Sequence, residues 1–282
     1  MSTAAQAVSS ALKIVPRRSG TRGHADHGWL KTYHTFSFAS WYDPAFEAFG
    51  SLRVINEDRV DPSEGFGKHS HREFEIFSYI VSGELEHRDS MGNLEIMKEG
   101  DIQMTSTGTG IAHSEYNRNS KTPVHFLQIW ALPHTRGLAP QYYNRHFPRQ
   151  AKLDTLVKVV APVGTVDVSD ERLGSGPAPV HSHLSMWASI LTDKGKSVRH
   201  SLATDTKRAY LQLIMKSGYR RPNVAAGDKF EDGGARVRVN RGLVLEEGDG
   251  AFVTLEGEGS KEIEVENVGE REAEFLLFEM QD

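Results

Sequence analysis

Two short stretches hold the residue types from which a metal centre is made. Residues 67–87, GKHSHREFEIFSYIVSGELEH, put His69 and His71 two positions apart, and residues 100–117, GDIQMTSTGTGIAHSEYN, do the same with His113 and Glu115. Positions i and i+2 of a strand share a face, so each pair aims one way. If the two strands adjoin inside a barrel, three neutral imidazoles and one carboxylate converge. Such donors, without thiolate, suit a first-row divalent metal such as iron, manganese, cobalt, nickel, copper or zinc. They also leave coordination positions open, as a catalytic site requires and a structural one does not.

A second carboxylate competes with Glu115. In an unbroken strand Glu73, Glu75, Phe77 and Tyr79 share the His69/His71 face, while Phe74, Ile76, Ser78 and Ile80 take the other. Glu75 then lies ~13 Å beyond His71, against ~6.6 Å between Glu115 and His113, at ~3.3 Å per residue. Ligation by Glu75 needs a bend or bulge at 72–74, and spacing alone leaves both glutamates open. His181 and His183 in PVHSHLSMW repeat the His-x-His spacing, but no histidine follows the Gly-Asp of EEGDGAFVTLEGEG. Without a second ligand strand, a structural or solvent role is expected of them. His24, His27 and His34 read as packing or hydrogen-bonding histidines. Gln128 and Trp130 alternate with Leu127 and Ile129 in a strand that can line a barrel. Gln128 on one face, or His125 on the other, is then placed to touch a ligand, although ordinary alternation accounts for both. Phe36 and Phe38 in HTFSF read as core.

Strands must position these groups. Glycine and turn clusters recur every 8–12 residues or so, the mark of an all-β sandwich or barrel. Strands are expected at 36–39, 52–55, 75–81, 83–89, 93–97, 102–105 and 124–132. The pattern repeats at 156–160, 185–191, 197–202, 209–216, 235–239, 251–255 and 274–279. Between the halves, LPHTRGLAPQYYNRHFPRQ reads as a linker, and residues 220–235 as a polar loop inserted into the second half. Sustained helical periodicity is almost absent.

Composition narrows the partners. The chain has 282 residues, 38% hydrophobic and 25% charged, which describes a globular protein of one large or two ordinary domains. A net charge of −5 gives no reason to expect nucleic acid or an anionic membrane as a direct partner. No apolar run approaches the length that crosses a bilayer. With no cysteine, disulfides, thiolate metal sites and cysteine nucleophiles are excluded. Residues 1–25 are basic and free of Asp and Glu, with Lys13, Arg17, Arg18 and Arg22. A short disordered tail is expected there rather than a targeting peptide, and without an apolar core segment secretion is not expected.

The two histidine stretches resemble the paired motifs of the cupin superfamily, and the first half is similar to the pirin family, above all its quercetinase-type bacterial members. The matching text is GHADHGWLKTYHTFSFASWYDP, LRVINED, GFGKHSHREFEI, EHRDSMGN and GTGIAHSEYN, covering 12–148 closely and the remainder loosely. The resemblance implies an all-β bicupin of two tandem antiparallel barrels. It divides the chain into a disordered extension (1–11), a metal-binding N-terminal domain (12–148) and a C-terminal domain without metal (149–282). It assigns the ligands to His69, His71, His113 and Glu115, and leaves Glu75 behind them or on the substrate side. The general cupin pattern would instead take Glu75. One divalent cation per chain is implied, iron(II) first. The activity implied is a dioxygenase that cleaves flavonols such as quercetin with O2, Glu115 or Glu75 accepting the proton of the substrate 3-hydroxyl. The other reading is a metal-binding, redox-sensitive transcriptional co-regulator acting through protein partners. A cytoplasmic or nuclear location is expected in either case.

Overall fold

The computed structural model describes residues 11–218 and 234–281. In the first half the strands are β1 (Leu12–Arg17), β2 (Gly23–Asp26), β3 (Leu30–His34), β4 (Leu52–Val60), β5 (Gly65–His71), β6 (Glu75–Ser82), β7 (Leu85–Asp89), β8 (Leu94–Met97), β9 (Asp101–Ser106), β10 (Ile111–Tyr116), β11 (Val124–Ala131) and β12 (Gln141–His146). A single helical turn, α1 (Arg149–Lys152), leads to β13 (Val157–Pro162), β14 (Ala178–Val180), β15 (Leu184–Leu191), β16 (Ser197–Ser201) and β17 (Thr206–Leu213). The chain closes with β18 (Arg236–Val239), β19 (Leu243–Glu246), β20 (Gly250–Leu255), β21 (Glu262–Asn267) and β22 (Ala273–Gln281). No helix among the described residues is long and apolar enough to cross a membrane.

The fold is all-β, and each half pairs a seven-stranded sheet with a four-stranded one. The first half has β12-β9-β6-β11-β4-β3-β2 and β5-β10-β7-β8; the second has β1-β20-β17-β22-β15-β13-β14 and β16-β21-β18-β19. The two large sheets face each other. Phe77, Tyr79, Leu127 and Ile129 from the first pack into one buried cluster with Val160, Met186, Tyr210 and Phe278 from the second. Strand periodicity divides β22 between two cores: Leu276 and Phe278 join this shared cluster, whereas Phe275 and Leu277 turn to the interior of the second half. That interior is mainly apolar, with Leu211, Val237, Leu245 and Val265, and holds the buried Glu279 against His200 at one end. The first half has only a small apolar end, around Leu30, Val60, Ile80, Met97 and Phe126. The rest of its interior is polar.

Several local expectations change. Residues 36–39 form no strand; Phe38 makes an isolated bridge to Trp41 and Ala39 turns at φ 50°. The expected linker contains β12, whose Tyr142 and Arg145 pair with Thr105 and Ile102 of β9. β1 adds to the far half, running antiparallel to β20 from Leu12↔Leu255 to Arg17↔Gly250, a partner that composition cannot reveal. The disordered extension expected at 1–11 lies outside the described residues except for Ala11, which is buried and donates its N–H to Ser260 O at 3.1 Å. All of the loop expected at 220–235 except 234–235 lies outside them too.

An ionic network sits in the shared core. Lys152, fully buried on α1, donates to Tyr79 Oη at 2.6 Å and to Glu274 Oε1 at 3.3 Å, and Lys216 Nζ donates to Glu274 Oε2 at 2.8 Å. Burial opposes charge on Glu274, but the two ammonium groups prevail and hold its carboxyl below the usual range. Removing one partner of a buried pair typically costs about 3–5 kcal/mol. Glu274→Gln should therefore lower the unfolding free energy by that order, read by urea titration at neutral pH. Because the folded pKa is depressed, this contribution is present above the unfolded value near 4.5 and is lost as pH falls through the folded one. The gap between parent and variant should narrow in acid, and a gap that widened there would refute the account.

Candidate metal centre

The site begins with the pairing of β5 and β10. His69 lies opposite His113 and His71 opposite Ile111, but Glu115 lies opposite Phe66, so β5 carries an extra residue at a bulge. Strict alternation would put Phe66 and His69 on opposite faces. The bulge lets Phe66 pack at the apolar end, against Trp29, while His69 and His71 both point inward. It also turns the Gly67 carbonyl to accept from His69 Nδ1 at 2.8 Å, which leaves the lone pair on Nε2, facing the site. Close approach of β5 requires Gly65, where a Cβ would stand 2.2 Å from the Glu115 carbonyl oxygen. On β10 the alternation is unbroken: Ile111, His113 and Glu115 are buried, and Ala112, Ser114 and Tyr116 are half-buried.

Two donor groups result. One ligand atom from each of His69, His71 and His113 lies within 4.8 Å of the others, and the same holds for His87, His113 and Glu115. His113 belongs to both, with its Nε2 3.0 Å from His69 Nε2. Burial, then the neighbouring histidines, lower His71 to about 4 and His113 to about 3. Both rings are therefore neutral near pH 7, with lone pairs free to bind. Glu115 is fully buried; its Oε2 accepts from Gln128 Nε2 at 2.9 Å, and its Oε1 has no partner among the described residues. Neutral imidazoles, a fixed tautomer and an unsatisfied carboxylate oxygen fit a divalent cation. His87 was not singled out in the sequence. Its signal was its place two residues after Leu85 on β7, which puts it inward and opposite Glu115.

Gln128 belongs to a row that crosses the facing sheet. In register run His34, Asn56, Gln128, Ser78, Gln103 and Asn144, one from each of six strands. His34 Nδ1 pairs with Asn56 Oδ1 at 2.8 Å, and burial lowers His34 to about 4. Nearer the opening, Trp130 stands 4.8 Å from the His71 ring, 5.1 Å from Phe74 and 5.6 Å from Phe38, centroid to centroid. His69, His71, Phe38, Phe74 and Trp130 are all half-buried, so this is the mouth. Phe38 is thus at the opening while Phe36 is in the shared core.

Glu75 goes elsewhere. Glu73 adopts φ 59° and Phe74 N–H donates to Thr107 Oγ1 at 2.9 Å, so the chain leaves one sheet and enters the other between His71 and Glu75. The shared face expected for His69, His71 and Glu75 is therefore corrected. Glu75 points with Phe77 and Tyr79 toward the second half, where it accepts from Ser106 Oγ at 2.7 Å and from the His181 N–H at 2.9 Å. The carboxylate raises the His181 pKa from its position 3.5 Å from the ring. His183 lies against His134, 5.1 Å between centroids, and neither His181 nor His183 joins a three-donor group among the described residues. His125 likewise faces the junction, 3.1 Å from Glu57.

Glu75→Gln should accordingly keep full metal stoichiometry while losing about 1–3 kcal/mol of stability, the cost of an unsatisfied buried hydrogen-bonding group. Metal analysis alongside thermal unfolding checks this, and metal loss without destabilisation would return Glu75 to the ligand set.

Known proteins share this architecture. The Pirin family model matches residues 16–131, a span that contains both histidine stretches. A quercetin 2,3-dioxygenase of Escherichia coli K12 is 40% identical over 201 residues, 71% of this chain and 81% of that protein. A putative quercetin 2,3-dioxygenase of Pasteurella multocida is 33% identical over 259 residues, 92% and 95% of the two chains. The crystal structure of the bacterial pirin YhhW of Escherichia coli in complex with nickel(II) superposes with a TM-score of 0.77 at 33% identity, covering 95% of this chain and 99% of that one. With sequence identity at this level over most of both chains, and one fold throughout, the chain belongs to the pirin family.

Proposed function

We propose that the chain is a metal-dependent dioxygenase that cleaves flavonols of the quercetin type, with His69, His71, His113 and Glu115 holding one divalent cation. The observation that carries this reading is the mouth: imidazoles converge where the facing wall is aromatic and the rim residues are only half-buried. The named activity of the Escherichia coli and Pasteurella multocida relatives supports the substrate class, and the nickel(II) bound to a bacterial pirin supports the metal. Iron(II) and nickel(II) both suit this donor set.

A divalent cation at this place supplies a Lewis acid that lowers the pKa of a substrate hydroxyl. The protein's own contribution is placement. Trp130, Phe38 and Phe74 offer edges and faces to an aromatic substrate, an arrangement that favours offset or T-shaped ring contacts. Gln128 holds Glu115 Oε2, so Oε1 is the atom left to take the proton of the 3-hydroxyl. The buried polar row behind Glu115 keeps that carboxylate in a fixed orientation, and the apolar end beyond it limits the entry of bulk water.

Anaerobic metal loading followed by oxygen uptake over a flavonol panel tests the proposal. Uptake should rise in proportion to metal occupancy; full occupancy with no uptake over the panel would reject the enzyme and favour a metal-binding regulator. Because His113 is common to both donor groups, His113→Ala should strip metal more completely than His69→Ala or His71→Ala. Each of the latter should weaken affinity by at least the roughly 10–100-fold typical of losing a supporting group. Glu115→Gln should reduce kcat by about 10²–10⁴-fold, the range for a general base. A Glu115→Gln protein with unchanged kcat would remove the carboxylate from the reaction.

A further inference from the structure

Behind the mouth, unsatisfied polar atoms collect at one place. Glu115 Oε1, His113 Nδ1 and His87 Nδ1 are buried without a hydrogen-bond partner among the described residues. Buried polar groups are nearly always satisfied, so something absent from the polypeptide answers them. His87 itself is fully buried, on β7 opposite Glu115 in register, with its ring 5.0 Å from that of His113.

The ring of His87 is oriented from behind. Its Nε2 lies 3.5 Å from Asp89 Oδ2, and Asp89 is itself held: Oδ1 accepts from the N–H groups of Met91 and Asn93, both at 2.9 Å, and Oδ2 accepts from Asn93 Nδ2 at 2.7 Å. A carboxylate behind an imidazole is the arrangement that fixes a metal-binding histidine, directing one N–H outward and the other nitrogen's lone pair inward. A second buried carboxylate, that of Asp58, stands near Glu115, so the local charge favours a cation as well.

We propose that His87, His113 and Glu115 form an inner metal station, distinct from the outer one in which His69 and His71 join His113 and Glu115, and that it takes a divalent cation of the imidazole-seeking kind such as cobalt, nickel, zinc or iron. The three donors already lie within 4.8 Å of one another. Because His113 and Glu115 serve both stations, they are alternatives for one ion rather than two sites filled together. The outer station opens to substrate, and the inner one holds the ion deeper, away from the mouth. The inference rests on the metal reading above but not on the reaction.

Cobalt(II) titration followed by its visible absorption tests this without activity. In a His69→Ala/His71→Ala protein, the inner station should still take one cobalt(II) per chain, with a spectrum different from the parent's. Adding His87→Gln to that variant should abolish binding. Adding Asp89→Asn instead should weaken it by about 10–100-fold, as expected for a group that orients a ligand. Parent protein that binds one cobalt(II), with none bound by the double variant, would overturn the inner station and leave the outer one standing. Unchanged binding on adding His87→Gln would also overturn it, and a parent that binds none would overturn both. Thermal unfolding of each variant confirms that a loss of binding is not a loss of fold.

Discussion

The bulged pairing of β5 with β10 is the contact on which the site depends. It sets His69 opposite His113, brings His71 to the rim, and supplies the Gly67 carbonyl that fixes the His69 tautomer. The extra residue reverses the facing of everything on one side of it, so Phe66 and His69 both point inward although an odd number of positions separates them. A hydrogen-bonded ladder holds that geometry rigidly, because β10 is paired on its other side by β7, which carries His87. Donors on adjacent, fully paired strands need little reorganisation to receive an ion, and such pre-organisation is what binding sites require.

The two halves solve the same packing problem in opposite ways. Each has a seven-stranded and a four-stranded sheet, but Leu211, Val237, Leu245 and Val265 fill the second interior, where the first has imidazoles, Glu115 and a row of amides and hydroxyls. A polar interior is costly to bury. The first half is stabilised from outside itself, through the apolar cluster shared by the two large sheets and through ties that cross it. These include Arg22 to the Gly248 carbonyl, Glu57 to the Met215 N–H, and Glu75 to the His181 N–H. The second half thus acts as the scaffold against which a hollow, polar partner can remain folded. β1 strengthens this bond, since it belongs to the sheet of the second half while its last residue, Arg17, donates to the Thr35 carbonyl and the chain beyond it leads into the first.

The local chemistry was readable from residue order. Alternation on a strand put His113 with Glu115 and His69 with His71, and the turn-punctuated pattern indicated two β-rich halves, because both are properties of short, uninterrupted segments. What lay beyond the sequence depended on interruptions and on distant partners. Glu75 reads as facing with His71, yet a single positive-φ residue, Glu73, carries it into another sheet and toward His181. The bulge in β5 is equally invisible, as nothing in GFGKHSH marks which residue is extra. His87 entered the site only because β7 pairs with β10, and β1 joined the far half only because β20 offered an open edge. Periodicity fixes the direction of a side chain only while the strand runs unbroken. Where it bends, bulges or chooses a neighbour, the decision belongs to contacts between residues far apart in the chain, and the tertiary structure alone records them.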